Sequence, residues 1–148
     1  MKASDTIKKK IKAWEGLRLI AYLCPAGVLT IGYGHTGSDV KKDMSISKAK
    51  AEDLLDADIA KVEKQIAAVT SGFTLTQGQW DALVSFTFNL GIANLKSSTL
   101  LKKLKVNPND ATIPAEFRRW NKAKVNGAYT ELAGLTARRA AEAEIYQG

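Results

Sequence analysis

Residues 18–33, RLIAYLCPAGVLTIGY, constrain the fold most, because only a narrow set of turns fits their middle. The runs 18–23 and 28–33 are rich in β-branched, aromatic and aliphatic residues, which suit a pleated, half-buried surface. Between them lies Pro25-Ala26-Gly27. Proline suits the first central position of a type I turn, and glycine suits a left-handed residue after it. The segment therefore predicts a hairpin with a three-residue loop closed through a glycine bulge. That register sets Cys24 against Val28 and Tyr22 against Thr30. Side chains alternate between faces along a strand, so Cys24, Tyr22, Val28 and Thr30 share one face. Leu23, Ala21, Leu29 and Ile31 form the other, which is wholly apolar. Cys24 and Thr30 become diagonal neighbours, roughly 7 Å apart between backbones. A two-residue loop would put them on opposite faces.

A helix precedes the hairpin. Ile7, Ile11, Trp14 and Arg18 fall at helical spacing, Ser4 or Asp5 is available as N-cap, and Gly16 is placed to end the helix. Glu15 then sits in the last turn, where the helix dipole disfavours a negative charge. A carboxyl group kept partly protonated is what a general acid needs. On the helix alone, a solvated surface residue is the favoured reading of Glu15.

A chain of 148 residues suffices for one packed domain, or two small lobes sharing a helix. No apolar run approaches the ~20 residues that span a bilayer, and the N-terminus lacks an apolar signal core. The single cysteine excludes an internal disulfide. One His and one Cys offer no zinc-type ligand cluster. The net charge of +7 favours anionic partners such as nucleic acid, phospholipid or a bacterial envelope. It is spread over clusters that include Lys41-Lys42, Arg118-Arg119, Lys122 with Lys124, and Arg138-Arg139. No zinc-finger spacing or RNA-recognition motif accompanies them, so a nucleic-acid binder has charge in its favour and no motif.

After a polar loop over 34–44, Ser47 is the expected cap of a long helix striped by Leu55, Ile59, Val62, Ile66 and Val69. Thr76 and Gln79 form a capping-box pattern ahead of a helix over 80–90 that is apolar nearly all round and stops at Gly91. Ser97 or Ser98 caps a short helix with Leu100, Leu101 and Leu104 inward. Pro114 suits the first turn of a helix bearing Ile113, Phe117 and Trp120, and Asn126-Gly127 is a turn. Thr136 is the expected cap of the last helix, with Ala140, Ala141 and Ile145 on its apolar side.

The spacing Glu15, Cys24, Thr30, followed by Ile31-Gly32-Tyr33-Gly34-His35-Thr36, resembles the lysozymes of tailed bacteriophages, glycoside hydrolases of family 24. The strong motifs occupy residues 14–36, and weaker likeness covers most of the chain. The resemblance implies an α+β, mostly helical, two-lobed fold with one small antiparallel sheet. It would be one lysozyme domain over 1–148. The hairpin lobe would cover about 12–58, a linking helix about 47–69, and a helical lobe about 70–148 together with the N-terminal helix. The glycan would lie in a cleft between the lobes. Glu15 would be the general acid, and Cys24 and Thr30 would hold and activate water.

The usual pattern of glycoside hydrolysis needs two carboxyl groups, and Cys24 stands where the second is commonest. The thiol's part as base, electrostatic stabiliser or nucleophile stays open. The family mechanism implies inversion at the anomeric carbon. The resemblance further implies a His35–Asp58 ion pair, a glycan-facing amide at Asn89 in FNLG, and an arginine of the GLxxRRxxE segment reaching the catalytic glutamate. That arginine is Arg138, with Arg139 as the substitute and solvent exposure of both as the alternative.

The implied reaction is hydrolysis of the β-1,4 bond between N-acetylmuramic acid and N-acetylglucosamine in peptidoglycan, without metal or cofactor. The implied partner is the peptidoglycan glycan strand, with no nucleic acid, no stable membrane insertion and a monomeric state. Synthesis would be in the host cytoplasm and action on the wall in the periplasm, after release by a separate holin-type protein. A wall-binding module without activity is the other reading that Cys24 leaves open.

Overall fold

A computed structural model describes residues 1–148. The protein is mostly helical α+β. The order is α1 (Asp5–Glu15), β1 (Arg18–Leu23), β2 (Leu29–Gly32), β3 (His35–Thr36), α2 (Lys48–Val69), α3 (Gln77–Leu90) and α4 (Ile92–Ser97). Then come α5 (Thr99–Val106), α6 (Ile113–Arg118), β4 (Lys122–Val125), β5 (Ala128–Glu131) and α7 (Ala133–Gln147). It divides into two compact units, one of Lys8–Lys61 and one of Met1–Ile7 with Val62–Gly148, so both boundaries fall inside helices.

In the unit Lys8–Lys61, α1 ends as its sequence dictates. Gly16 adopts a φ of 72° and its N–H donates to the Lys12 carbonyl at 2.9 Å. The hairpin has the expected register: Tyr22 pairs with Thr30 and Leu23 with Leu29. Cys24 N–H donates to Val28 O at 3.0 Å, Gly27 N–H donates to Cys24 O at 2.8 Å, and Gly27 is left-handed at φ 77°. β3 completes the sheet, with Thr30 opposite Thr36 and Ile31 opposite His35.

The expected apolar face of the hairpin is only partly buried. Ile31 is fully buried, but Leu23 is 66% exposed, and Ala21 and Leu29 are half-buried. Separately, β1 is irregular N-terminal to that pairing, its register shifting between Arg18 and Tyr22. Such a shift breaks the alternation of faces and bends the strand. Over this stretch β1 bonds instead to residues 44–46: Ala21 N–H donates to Met44 O at 2.8 Å, and Ile46 N–H donates to Leu19 O at 2.9 Å. In α2, Ser47 Oγ accepts from Lys50 N–H, and Ala51, Leu55 and Ile59 are buried. Glu52 on that helix accepts from the Tyr33 hydroxyl at 3.1 Å and pairs with Lys12, which ties α1, the β2–β3 turn and α2 together.

In the other unit, Ser4 proves to be the cap of α1: its Oγ accepts from Ile7 N–H and donates to Asp81. The Thr76–Gln79 capping box opens α3 as expected, and every residue from 79 to 87 is buried. α7 packs on α3 and α6. Phe86 meets Phe117 and Trp120 edge-on, with ring centroids 5.6 Å apart in each pair; Phe86 and Phe117 are core and Trp120 is half-buried against them. Trp120 lies just past the end of α6 rather than on it. Ser98, not Ser97, caps α5, and a separate short helix, α4, precedes it.

Two corrections concern the C-terminal segment. Asn126 and Gly127 are both left-handed, at φ 51° and 82°, and join two strands where the sequence marked only a turn. A second two-stranded sheet therefore accompanies the small sheet expected. Thr136 is not the cap of α7. The helix starts at Ala133, and Thr136 N–H already donates to Leu132 O at 2.9 Å in a regular turn. Its buried face is also different: Ala140, Ala141 and Ile145 are half-buried, whereas Arg138, Arg139, Glu142, Ala143 and Tyr146 are buried. The charges can go inside because they arrive paired. Arg139 Nε lies 2.6 Å from Glu142 Oε1, and the Ser85 hydroxyl donates to Glu142 Oε2 at 2.5 Å.

Candidate active site

Glu15 is the last residue of α1 and is half-buried. Its carboxyl leans on the β2–β3 turn. A Cβ placed on Gly34 would fall 2.5 Å from Glu15 Oε1, and Gly34 is left-handed at φ 73°. Glycine is thus required there both for its conformation and for its lack of a side chain. The sequence displayed this residue in the TIGYGH run without revealing what approaches it.

Cys24 and Thr30 share a face. Thr30 is buried and its Oγ1 donates to Val28 O at 2.9 Å, on the face that also carries the Cys24 thiol. Hydrogen bonding from the Val28 backbone holds the half-buried thiol below its ordinary value. Burial opposes this, and Ala26 and Thr30 assist it. A threonine hydroxyl has one proton to give. Given to Val28 O, it leaves the oxygen as an acceptor towards the thiol; turned to sulfur, it stabilises a thiolate. The pair can therefore orient a water and take its proton.

His35 is bracketed. Its Nδ1 lies 2.8 Å from Asp58 Oδ2 and its Nε2 lies 2.9 Å from Asp39 Oδ2. Asp39, four residues on from His35 and just past β3, is the partner that the sequence reading missed; its i+4 spacing was the only signal. Burial opposes a charge on the ring, yet its hydrogen bonds to the Asp58 and Asp39 carboxylates outweigh it and raise the pKa above 6.5. The bond from His35 in turn holds Asp39 below its ordinary 3.8.

Two further candidates belong to the unit containing Val62–Gly148. Asn89, in the last turn of α3, is half-buried, and its Oδ1 is buried with no protein hydrogen-bond partner. Arg138 is buried rather than solvent-facing, which removes the alternative of an exposed arginine pair. Its Nε donates to Ser85 Oγ at 3.3 Å, and its Nη2 donates to Ser85 O at 3.2 Å.

The sequence pattern of the phage lysozyme family matches residues 12–142. The chain belongs to the phage lysozyme family. The endolysin of Acyrthosiphon pisum secondary endosymbiont phage 1 is 46% identical over 137 residues, 93% of this chain and 92% of that one. Among solved structures, the endolysin from Escherichia coli O157:H7 phage FAHEc1 superposes with a TM-score of 0.88 at 38% identity, covering 99% of this chain and 93% of that one. The muramidase domain of SpmX from Asticaccaulis excentricus gives 0.86 at 34%, covering 98% and 97%. This phage lysozyme is accordingly an endolysin-type glycoside hydrolase acting on peptidoglycan, with the α+β lysozyme fold. No helix in it is long and apolar enough to cross a membrane.

Proposed function

We propose that this lysozyme is a muramidase, cleaving the β-1,4 bond between N-acetylmuramic acid and N-acetylglucosamine with inversion. The observation carrying this reading is the Cys24–Thr30 pair: a buried hydroxyl and a half-buried thiol on one face of the hairpin, the thiol held below its ordinary value by hydrogen bonding from the Val28 backbone. Glu15 donates its proton to the leaving glycosidic oxygen as positive charge develops on the sugar. Thr30 orients a water on the opposite side, and the Cys24 thiolate accepts that water's proton as the new C–O bond forms. A lowered thiol pKa is what allows sulfur to serve as base near neutral pH. His35, Asp58 and Asp39 brace the sheet that carries the pair. Asn89 supplies an amide for the substrate, and Arg138 has a supporting part. Monomeric action, with access to the wall through a separate holin-type protein, belongs to the same proposal.

Clearing of outer-membrane-stripped Gram-negative cells tests the assignment. Wild type clears them, Glu15→Gln does not, and Cys24→Ser is slowed about a hundredfold or more, in line with loss of a general base. Proton NMR of the released sugar reads the anomer, and a retained configuration rejects the water-attack scheme. Sedimentation of the wild type with intact, uncleared walls would instead make it a binding module.

A further inference from the structure

The β1–β2 hairpin ends in apolar surface that nothing in the protein covers. Residues 19–34 contain no Asp, Glu, Lys or Arg. Of the nine large apolar side chains that stand exposed in the chain, five fall within residues 17–28: Leu17, Leu19, Ile20, Leu23 and Val28. Ile20 and Leu23 are the most open of the five, at 63% and 66%. The loop between the strands adds Pro25 and Ala26, both exposed. Leu23 precedes Cys24 on the strand and so lies on the face opposite Cys24 and Thr30. Scattered exposed apolar residues are ordinary, whereas a contiguous run rimmed by polar groups marks an interaction surface.

Cations gather beside this tip. β1 runs antiparallel to residues 44–46, with Ile20 opposite Ser45 and Ala21 N–H bonded to Met44 O. Going back along the chain from Met44 therefore leads towards the hairpin tip. The turn over 41–44, closed by Met44 N–H on Lys41 O at 3.1 Å, lies on that side. It carries Lys41 and Lys42, both exposed and in no ion pair. Arg18, at the start of β1, is exposed too, its guanidinium 4.5 Å from the Tyr22 ring centroid. Asp43 is the one carboxylate within the turn, and Asp39 just before it is bonded to His35. Three cations against the Asp43 carboxylate leave the rim of the apolar surface positive.

A neutral glycan strand would set hydroxyls against Ile20 and Leu23. A second copy of the chain would bring two cationic rims together, on molecules that each carry +7. A bilayer with anionic headgroups accepts both features: apolar side chains enter the boundary between headgroups and acyl chains, and lysine ammonium groups meet the phosphates. We propose that the hairpin tip docks the enzyme reversibly on an anionic lipid surface, with Ile20 and Leu23 entering the interface and Lys41 and Lys42 holding the headgroups. Because Leu23 faces away from Cys24 and Thr30, docking through it leaves that pair uncovered. The proposal concerns where the enzyme is held, and depends neither on the bond cleaved nor on the part played by Cys24.

Cosedimentation of the full chain with phosphatidylcholine vesicles, with and without phosphatidylglycerol, tests it. Wild type is expected to pellet with the anionic vesicles and to stay in solution with the neutral ones. Ile20→Ser combined with Leu23→Ser should weaken binding about tenfold or more, through loss of two apolar side chains from the interface. Lys41→Gln combined with Lys42→Gln should weaken it about fivefold per lysine. Lys102→Gln combined with Lys105→Gln, an exposed pair on α5, changes the net charge equally and should bind as wild type does. All these side chains but Lys41 and Lys42 lie in strands or helices and all are exposed, so each variant should keep the wild-type Tm and the wild-type rate on soluble wall fragments. Equal losses from the two lysine pairs overturn the proposal, because net charge alone would then account for binding. Unchanged binding by the serine variant overturns it as well. A wild type that sediments as a dimer without lipid, and as a monomer after Leu23→Ser, overturns it in favour of a second copy.

Discussion

Gly34 and Gly27 have nearly the same backbone, at φ 73° and 77°, and different surroundings. Open space faces Gly27, whereas the Glu15 carboxyl faces Gly34. An alanine at either position should cost about 1–2 kcal/mol for its left-handed conformation. Only Gly34→Ala should also displace the carboxyl and so lower kcat well beyond Gly27→Ala. Equal kcat in two variants of similar Tm would mean that the approach to Gly34 is incidental. His35 gives a prediction with a sign. A ring whose pKa rises on folding adds stability below its unfolded value, and that stability is lost as pH rises through the folded value. Asp39, depressed on folding, adds stability above 3.8 that is lost as pH falls through its folded value. The two overlap from about pH 4 to somewhat above 6.5. Asp58→Asn should therefore lower Tm most around pH 5.5, with the difference shrinking at alkaline pH. A difference that is constant across a pH series of melting curves would mean that the ring carries no charge.

At the scale of elements, what the sequence made legible was set within a few residues. Pro25-Ala26-Gly27 dictates the turn, the turn dictates the register, and the register brings Cys24 and Thr30 to one face. Ser4, Ser47 and Thr76 cap helices through bonds that reach three residues along the chain. The face of α7 was not legible, because Arg139 and Glu142 are buried against each other, with Arg138 and with Ser85, which lies 57 residues from Glu142, also on that carboxylate. Removing one member of that group leaves a buried charge uncompensated. Glu142→Gln should cost about 3–5 kcal/mol. Chemical denaturation reads this directly, and a loss under about 1 kcal/mol would show that Arg139 reaches water in solution.

For the whole molecule, the +7 charge matters for encounter with an anionic wall rather than for the fold. Screening shortens the reach of such charges from about 30 Å at 0.01 M salt to about 10 Å at 0.1 M. Clearing by the wild type should therefore slow several-fold over that range, and a rate independent of salt would discount electrostatic capture. The sequence by itself determined the caps at Ser47 and Thr76 and the hairpin turn, because backbone sterics and hydrogen bonds among near neighbours decide them. Only the tertiary structure decided the shift in β1, which bonds there to residues 44–46, and the charged interior of α7. Each depends on which distant groups meet, and the cost of burying or stranding a charge is set by those groups and not by the residue that carries it.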